Sequence, residues 1–188
     1  PTQPNMRTGE RAMWMMRVTV VALSGRSTSP DAWSIEAELI RVAHPLLAYA
    51  RLRTIPGVGP TAAAILLAEI GDIAWYTHFS QLRKLAGLDI QRVQTGQWAG
   101  TARISRCGKP LLRWALYQAA LGAARTAAWR ARRERLIAKR QGDRYAFFKA
   151  NVELAAKLLR IVWGVWRSGR SYDPARVEAS PAARPRPE

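Results

Sequence analysis

One cysteine, Cys107, and two histidines, His44 and His78, are all the soft metal ligands that the 188 residues offer. A lone thiol makes no internal disulfide, so a disulfide-stapled fold is excluded and a reducing compartment is the natural setting. Three soft ligands scattered along the chain argue equally against a structural zinc site. Long apolar runs are missing too. The longest lies around Ala12 to Leu23, is interrupted by Arg17, and is too short to span a bilayer. Arg7 and Arg11 mimic the charged start of a secretory signal, but Arg17 and the lack of a small-residue cleavage site argue against export.

Acidic side chains are scarce: 13 Asp and Glu stand against 30 Lys and Arg, a formal charge of +17. Lysine is scarce as well, 5 against 25 arginines. The planar guanidinium grips phosphate with two hydrogen bonds, so the bias fits a nucleic-acid partner, although a GC-rich genome would produce it too. The charge is also uneven along the chain. Residues 81–140 carry 14 basic and 2 acidic side chains, whereas residues 1–80 are close to neutral. A solvated surface usually mixes signs. The polyanion contact is therefore expected in the middle of the chain.

What is abundant is helix-forming apolar sequence, 48% hydrophobic, enough for the core of one ordinary domain. Residues 1–33 show no clean period, contain a Ser/Thr/Gly/Pro cluster from Ser24 to Pro30, and read as a linker or unrelated segment. A helix is expected after Ser34, with Glu36 and Glu38 in its first turn, ended by Pro45. A short helix through Leu46, Tyr49 and Leu52 leads to Ile55-Pro56-Gly57-Val58-Gly59-Pro60 and the apolar run Thr61 to Ile70. Gly57 and Gly59 suit positive φ in a tight turn, and Pro60 suits a first helical turn. Thr77 or Ser80 is expected to cap a helix over Gln81 to Ala86. Residues 88–108 break the helical pattern as an irregular loop or short β-hairpin. Pro110 starts a long helix with a 3.6-residue apolar stripe through Leu112, Leu116 and Ala123, continuing into the basic stretch Arg125 to Arg140. A last helix, about Tyr145 to Trp166, sets Phe148, Val152, Ala155, Leu159 and Val162 on one side and should stop near Gly169. Residues 173–188 are Pro/Ala/Arg-rich and read as a disordered tail. The expected fold is mainly α, a helix-hairpin-helix at about 46–71 within a domain over residues 34–172. The start at Pro1 rather than Met suggests a fragment.

Two stretches carry the chemistry. A glycine-lined turn before a helix exposes backbone N–H groups beside a positive dipole end, which holds a phosphate without reading a base. An ordinary αα-corner explains the same pattern. The second stretch runs Gln94-Thr95-Gly96-Gln97, then Arg103-Ile104-Ser105-Arg106-Cys107-Gly108-Lys109, then Arg113. Arg103, Arg106, Lys109 and Arg113 can neutralise a phosphate, and Gly96 lets backbone approach it. Thr95 or Ser105 could attack phosphorus in such surroundings, or merely hydrogen-bond to phosphate or cap a turn.

Ile55-Pro56-Gly57-Val58-Gly59 resembles the helix-hairpin-helix motif of DNA repair and recombination proteins. With Glu69-Ile70-Gly71-Asp72, Phe79-Ser80, Leu85-Ala86-Gly87-Leu88, Thr95-Gly96-Gln97, Arg103 to Gly108 and Leu112-Arg113 in order, the chain resembles the C-terminal transposase domain of the IS-one-ten insertion-sequence family, related to the pilin-gene invertases. The resemblance covers about residues 40–172. It implies DNA transposition by strand cleavage and rejoining, with a serine nucleophile supplied by this domain. A separate RuvC-like domain supplies four carboxylates for Mg²⁺, and a guide RNA can choose the sites. Two departures matter. The family's serine–glycine pair falls on Thr95-Gly96, a more crowded hydroxyl. Secondly, the acids before the hairpin (Glu10, Asp31, Glu36 and Glu38) make no convincing carboxylate set, so Mg²⁺ is expected only with the other domain. DNA is thus the expected partner, with a guide RNA or a second copy of the chain as further candidates, no membrane, and the bacterial nucleoid as location. The competing readings are a non-catalytic helix-hairpin-helix DNA-binding module and an RNA-binding accessory protein stacking bases on Trp98 and Trp129. Trp114, Trp163 and Trp166 are expected in the core.

Overall fold

A computed structural model describes residues 31–91, 94–95, 98–99, 103–105 and 107–175; the remaining expectations for 1–30, Gly96, Arg106 and the tail from 176 fall outside these residues. The fold is mainly α. Helix α1 (Asp31–Ala43) is followed by α2 (Leu47–Leu52), α3 (Pro60–Ile70), a 3-10 turn (Ile73–Trp75) and α4 (Phe79–Leu85). Four two-residue strands come next, β1 (Ile90–Gln91), β2 (Gln94–Thr95), β3 (Trp98–Ala99) and β4 (Arg103–Ile104). Helices α5 (Pro110–Ala123), α6 (Ala127–Ala138) and α7 (Ala146–Ser168) complete it.

Helix α3 is the most buried by composition. Its sequence, PTAAAILLAEI, is apolar on every side, and Ala63 to Ala68 and Ile70 are all buried. A helix without a polar face must be enclosed, and α1 and α5 pack against it. On one side Leu39 and Ala43 of α1 are fully buried, and the Thr61 hydroxyl donates to the Glu36 carboxylate. On the other, α3 and α5 run antiparallel. Lys109 at the start of α5 reaches Glu69 at the end of α3, while Ala119 and Ala123 near the end of α5 touch the turn that precedes α3. Alanines 115, 119, 120 and 123 on α5 and 150 and 155 on α7 are buried, and such short side chains let backbones come close.

Helix α7 closes the core. It runs 23 residues and buries Leu154, Leu158, Leu159 and Val162, each fully, against α5 and its neighbours. Burying one such leucine contributes about 1.5–3 kcal/mol. Gly169, at φ +67°, ends the helix in a left-handed cap, as its position just past the last apolar residue predicts. Beyond it the chain returns to the start of the fold, where the Tyr172 N–H donates to Thr54 Oγ1 at 2.8 Å.

Several expectations need correction. Helix α1 reaches back to Asp31 rather than starting after Ser34. Helix α4 is capped neither by Thr77 nor by Ser80. His78 precedes it, and Gln81 Oε1 accepts the His78 N–H at 3.2 Å. The basic stretch does not continue α5. Ala124 to Thr126 break the helix, and Thr126 Oγ1 donates to the Ala123 carbonyl at 2.8 Å before α6 begins. Phe148 is 59% exposed rather than core, since the buried face of α7 runs through Ala150, Leu154 and Leu158. Trp114 is half exposed, while Trp163 and Trp166 are only partly buried.

Candidate nucleic-acid interface

The turn between α2 and α3 is built by Arg53, whose Nη1 donates to the Val58 carbonyl at 3.0 Å, and by the Val58 N–H on the Ile55 carbonyl at 3.1 Å. Its two glycines do different things. Gly57 has φ +81° and lies flat on α5: a Cβ there would stand 2.1 Å from the Ala119 carbonyl oxygen and 2.2 Å from the Ala123 nitrogen. Gly59 is extended, φ −72° and ψ 174°, and precedes α3 with open space where its Cβ would be. The expected positive φ therefore holds for Gly57 alone. Gly57 is required by helix packing, and Gly59 is the position whose bareness packing does not explain.

In the second stretch the described residues form two short antiparallel ladders. Strand β1 pairs with β4, Ile90 opposite Ile104 and Gln91 opposite Arg103. Beyond them β2 pairs with β3, Gln94 opposite Ala99 and Thr95 opposite Trp98. Thr95 thus occupies the closed end, with only two residues linking it to Trp98. Ser105 sits at the foot, its N–H on the Asp89 carbonyl at 2.8 Å.

The foot is tied to the helical core. Lys109 Nζ donates to the Glu69 carbonyl at 2.7 Å and lies 3.1 Å from its carboxylate. Arg113 Nη1 donates to the Ala86 carbonyl at 3.3 Å, and Arg83 pairs with Asp89 at 2.6 Å. A Cβ on Gly108 would stand 2.4 Å from the Leu85 carbonyl oxygen, so this glycine admits the protein's own backbone. Lys109 and Arg113, expected as phosphate ligands, hold the hairpin in place. The side chains of Thr95 and Arg103 fall outside the described residues, as do Gly96 and Arg106. Because α3 and α5 are antiparallel, the Gly57–Gly59 turn and the hairpin foot lie at opposite ends of α3. Eleven residues at 1.5 Å each separate them by about 16 Å. One phosphate cannot touch both.

Helix α6 carries the concentrated charge. Arg130, Arg132 and Arg135 are exposed on it, as are Arg125 just before the helix and Lys139 just after, and Glu134 is the one acid on α6. None of these five cations has a carboxylate partner among the described residues, whereas Arg140 pairs with Glu153 at 2.7 Å. Trp129 turns inward and is 7% exposed, so it offers no stacking face, and the Trp98 side chain lies outside the described residues. The sequence reading missed a second basic region, on the C-terminal part of α7 and the segment that follows it. Lys157, Arg160 and Arg170 line one groove there, and Arg132 of α6 acts electrostatically on Lys157. The signal was available in the helical spacing of Lys157, Ile161, Gly164 and Ser168. Among the described residues no helix is long and apolar enough to cross a membrane. Nor do three His, Cys, Asp or Glu side chains come together to hold a metal.

Residues 49–135, from α2 to α6, match the model of the transposase IS116/IS110/IS902 family. Over 125 residues the chain is 27% identical to the "Insertion element IS116 uncharacterized 44.8 kDa protein" of Streptomyces clavuligerus, covering 66% of this chain and 30% of that protein. Residues 49–135 are a transposase domain of this family. The chain matches less than a third of its curated relative's length.

Proposed function

We propose that the chain is the DNA-gripping C-terminal part of an insertion-sequence transposase acting by strand cleavage and rejoining. The observation that carries this reading is the one-signed surface of α6, where exposed Arg130, Arg132 and Arg135 stand against Glu134 inside the segment that matches the transposase family. Such a surface engages the phosphate backbone without regard to sequence. The Gly59 end of the turn adds a second backbone contact, because its space is open and α3 presents its N-terminal N–H groups there. In this reading Thr95, at the position of the family's serine, is the nucleophile: its hydroxyl oxygen would bond to phosphorus as the bond from phosphorus to a strand's oxygen breaks, and the hydroxyl proton would pass to that leaving oxygen.

The described residues do not fit a Mg²⁺ site, since no set of carboxylates converges, and no step is drawn through one. Cleavage in this reading requires the carboxylate domain of the complete transposase. The DNA grip is tested by charge reversal. Arg130→Glu with Arg135→Glu should abolish duplex binding while thermal melting stays near the parent's, because both side chains are exposed. Unchanged affinity would remove α6 from the interface.

A further inference from the structure

The exposed face of α7 carries a glycine that folding does not require. Gly164 stands inside a 23-residue helix, where glycine is disfavoured relative to alanine. No protein atom lies within 4 Å of where its Cβ would be, so no neighbouring element needs the space. Its φ is not in the left-handed region that would explain the residue. What surrounds it is a groove of about 310 Å³, at the lower end of the size range of ligand sites.

The groove is chemically one-sided. Lys157 and Arg160 line it two turns and one turn before Gly164, and Arg170 lines it beyond the end of the helix. Arg160 lies with its guanidinium carbon 5.1 Å from the Phe79 ring centroid, which holds it in place without neutralising it. Hydroxyls of Ser168, Ser171 and Tyr172 and the apolar Ile161 and Val165 share the lining; Ser168 Oγ accepts the Arg170 N–H at 3.3 Å. Asp173 is the one acid there, and its Oδ1 accepts the Ala175 N–H at 3.0 Å. Partial burial lowers the pKa of Lys157, as do the charges of Arg132 and Arg160. Neither Lys157 nor Arg160 has a carboxylate partner among the described residues. Cations that repel one another around a groove with hydroxyls in its wall are relieved by an anion, and the missing Cβ lets a ligand come close to the helix.

We propose that this groove seats a backbone phosphate of the bound nucleic acid, with Lys157, Arg160 and Arg170 as its ligands and Gly164 as its floor. The site extends the interface proposed above from α6 across α7, and it rests on that reading for the source of the phosphate. It lies outside the segment that the sequence charge count singles out.

The test uses the full chain in two arms, a duplex DNA titrated across salt and inorganic pyrophosphate followed by thermal shift. Gly164→Leu fills the groove without altering charge, and Lys157→Ala with Arg160→Ala empties it of cations. The expected result is that pyrophosphate raises the melting temperature of the parent but of neither variant. The double variant should lower the slope of log affinity against log salt by about one unit for each phosphate it no longer neutralises. Gly164→Leu should bind DNA at least tenfold more weakly yet melt no lower than the parent, since leucine is the better helix former. A merely structural glycine would not separate those two readouts.

Unchanged pyrophosphate response and unchanged DNA affinity in both variants would overturn the site. Loss of the pyrophosphate response with DNA binding intact would overturn the nucleic-acid source and leave a free phosphate compound as ligand. If the parent fails to bind duplex DNA at all, the function proposed above falls. The pyrophosphate arm then decides whether the groove is a phosphate site.

Discussion

Replacing Gly57 by alanine tests whether the turn is fixed by its contact with α5. Alanine would have to hold φ at +81°, a left-handed conformation that costs roughly 1–2 kcal/mol. Its Cβ would also meet three backbone atoms, the Ala119 carbonyl oxygen at 2.1 Å, the Ala123 nitrogen at 2.2 Å and the Ala123 Cα at 2.8 Å. Backbone of a packed helix cannot swing aside as a side chain can, so α5 must separate from the turn. Overpacking of this kind costs about 1–3 kcal/mol. Together these give about 3 kcal/mol, set against a gain of about 0.4–1 kcal/mol from a less flexible unfolded chain. For a domain of this size each kcal/mol moves Tm by about 2–4 °C, so the variant should melt on the order of 10 °C lower. Calorimetry of Gly57→Ala beside Gly59→Ser makes the comparison internal. Gly59 has an ordinary φ and open space at a helix N-cap, and serine there should stay within ~0.5 kcal/mol of the parent. If Gly57→Ala melts with the parent, the close approach of turn and helix is wrong.

Lys109→Met should destabilise by about 1–3 kcal/mol, because it strands the mostly buried Glu69 carboxylate; adding Glu69→Leu should recover much of that stability in urea unfolding. Asp143 has its pKa lowered by the hydrogen bond from Lys149 and by the Tyr145 N–H. Its contribution to stability is therefore full above the ordinary carboxylate range and fades as pH falls through the lowered value. An NMR titration should show Asp143 moving back towards the ordinary range in Lys149→Ala. For the chemistry, the isolated chain should form no SDS-resistant adduct with DNA, since arginines at neutral pH give up no proton to a leaving oxygen. With a family-matched N-terminal domain added, Thr95→Ser should form more adduct than the parent and Thr95→Ala none. An adduct from the isolated parent contradicts this, and one surviving in Thr95→Ala shifts the role towards Ser105.

The helices were legible where one-residue signals marked their ends. Pro45, Pro60, Pro110 and Gly169 each stand at a boundary, because proline and glycine act on the local backbone whatever surrounds them. The break at Ala124 was not legible, since Ala-rich sequence propagates a helix by propensity and the Thr126 hydrogen bond to Ala123 is a detail of the folded chain. On α7 the apolar stripe holds for Ala155, Leu159 and Val162, which are buried, whereas Phe148 near the helix start lies outside the buried face. In the site, a motif names residues but not their neighbours. Gly57 and Gly59 look equivalent in sequence, and only the approach of α5 separates packing from exposure. Likewise the sequence marks Lys109 and Arg113 as cations near a turn, and only the fold sets Glu69 and the Ala86 carbonyl beside them.

The central claim is that this basic transposase domain grips a nucleic-acid backbone, and its salt dependence tests that most directly. Duplex affinity of the full chain, measured between about 50 and 200 mM salt, should fall linearly on log–log axes, with a slope of roughly 0.9 per neutralised phosphate. The five exposed cations of residues 125–139 that lack a carboxylate partner predict several such phosphates, and hence a slope of several units. A slope near zero over that range would contradict the account.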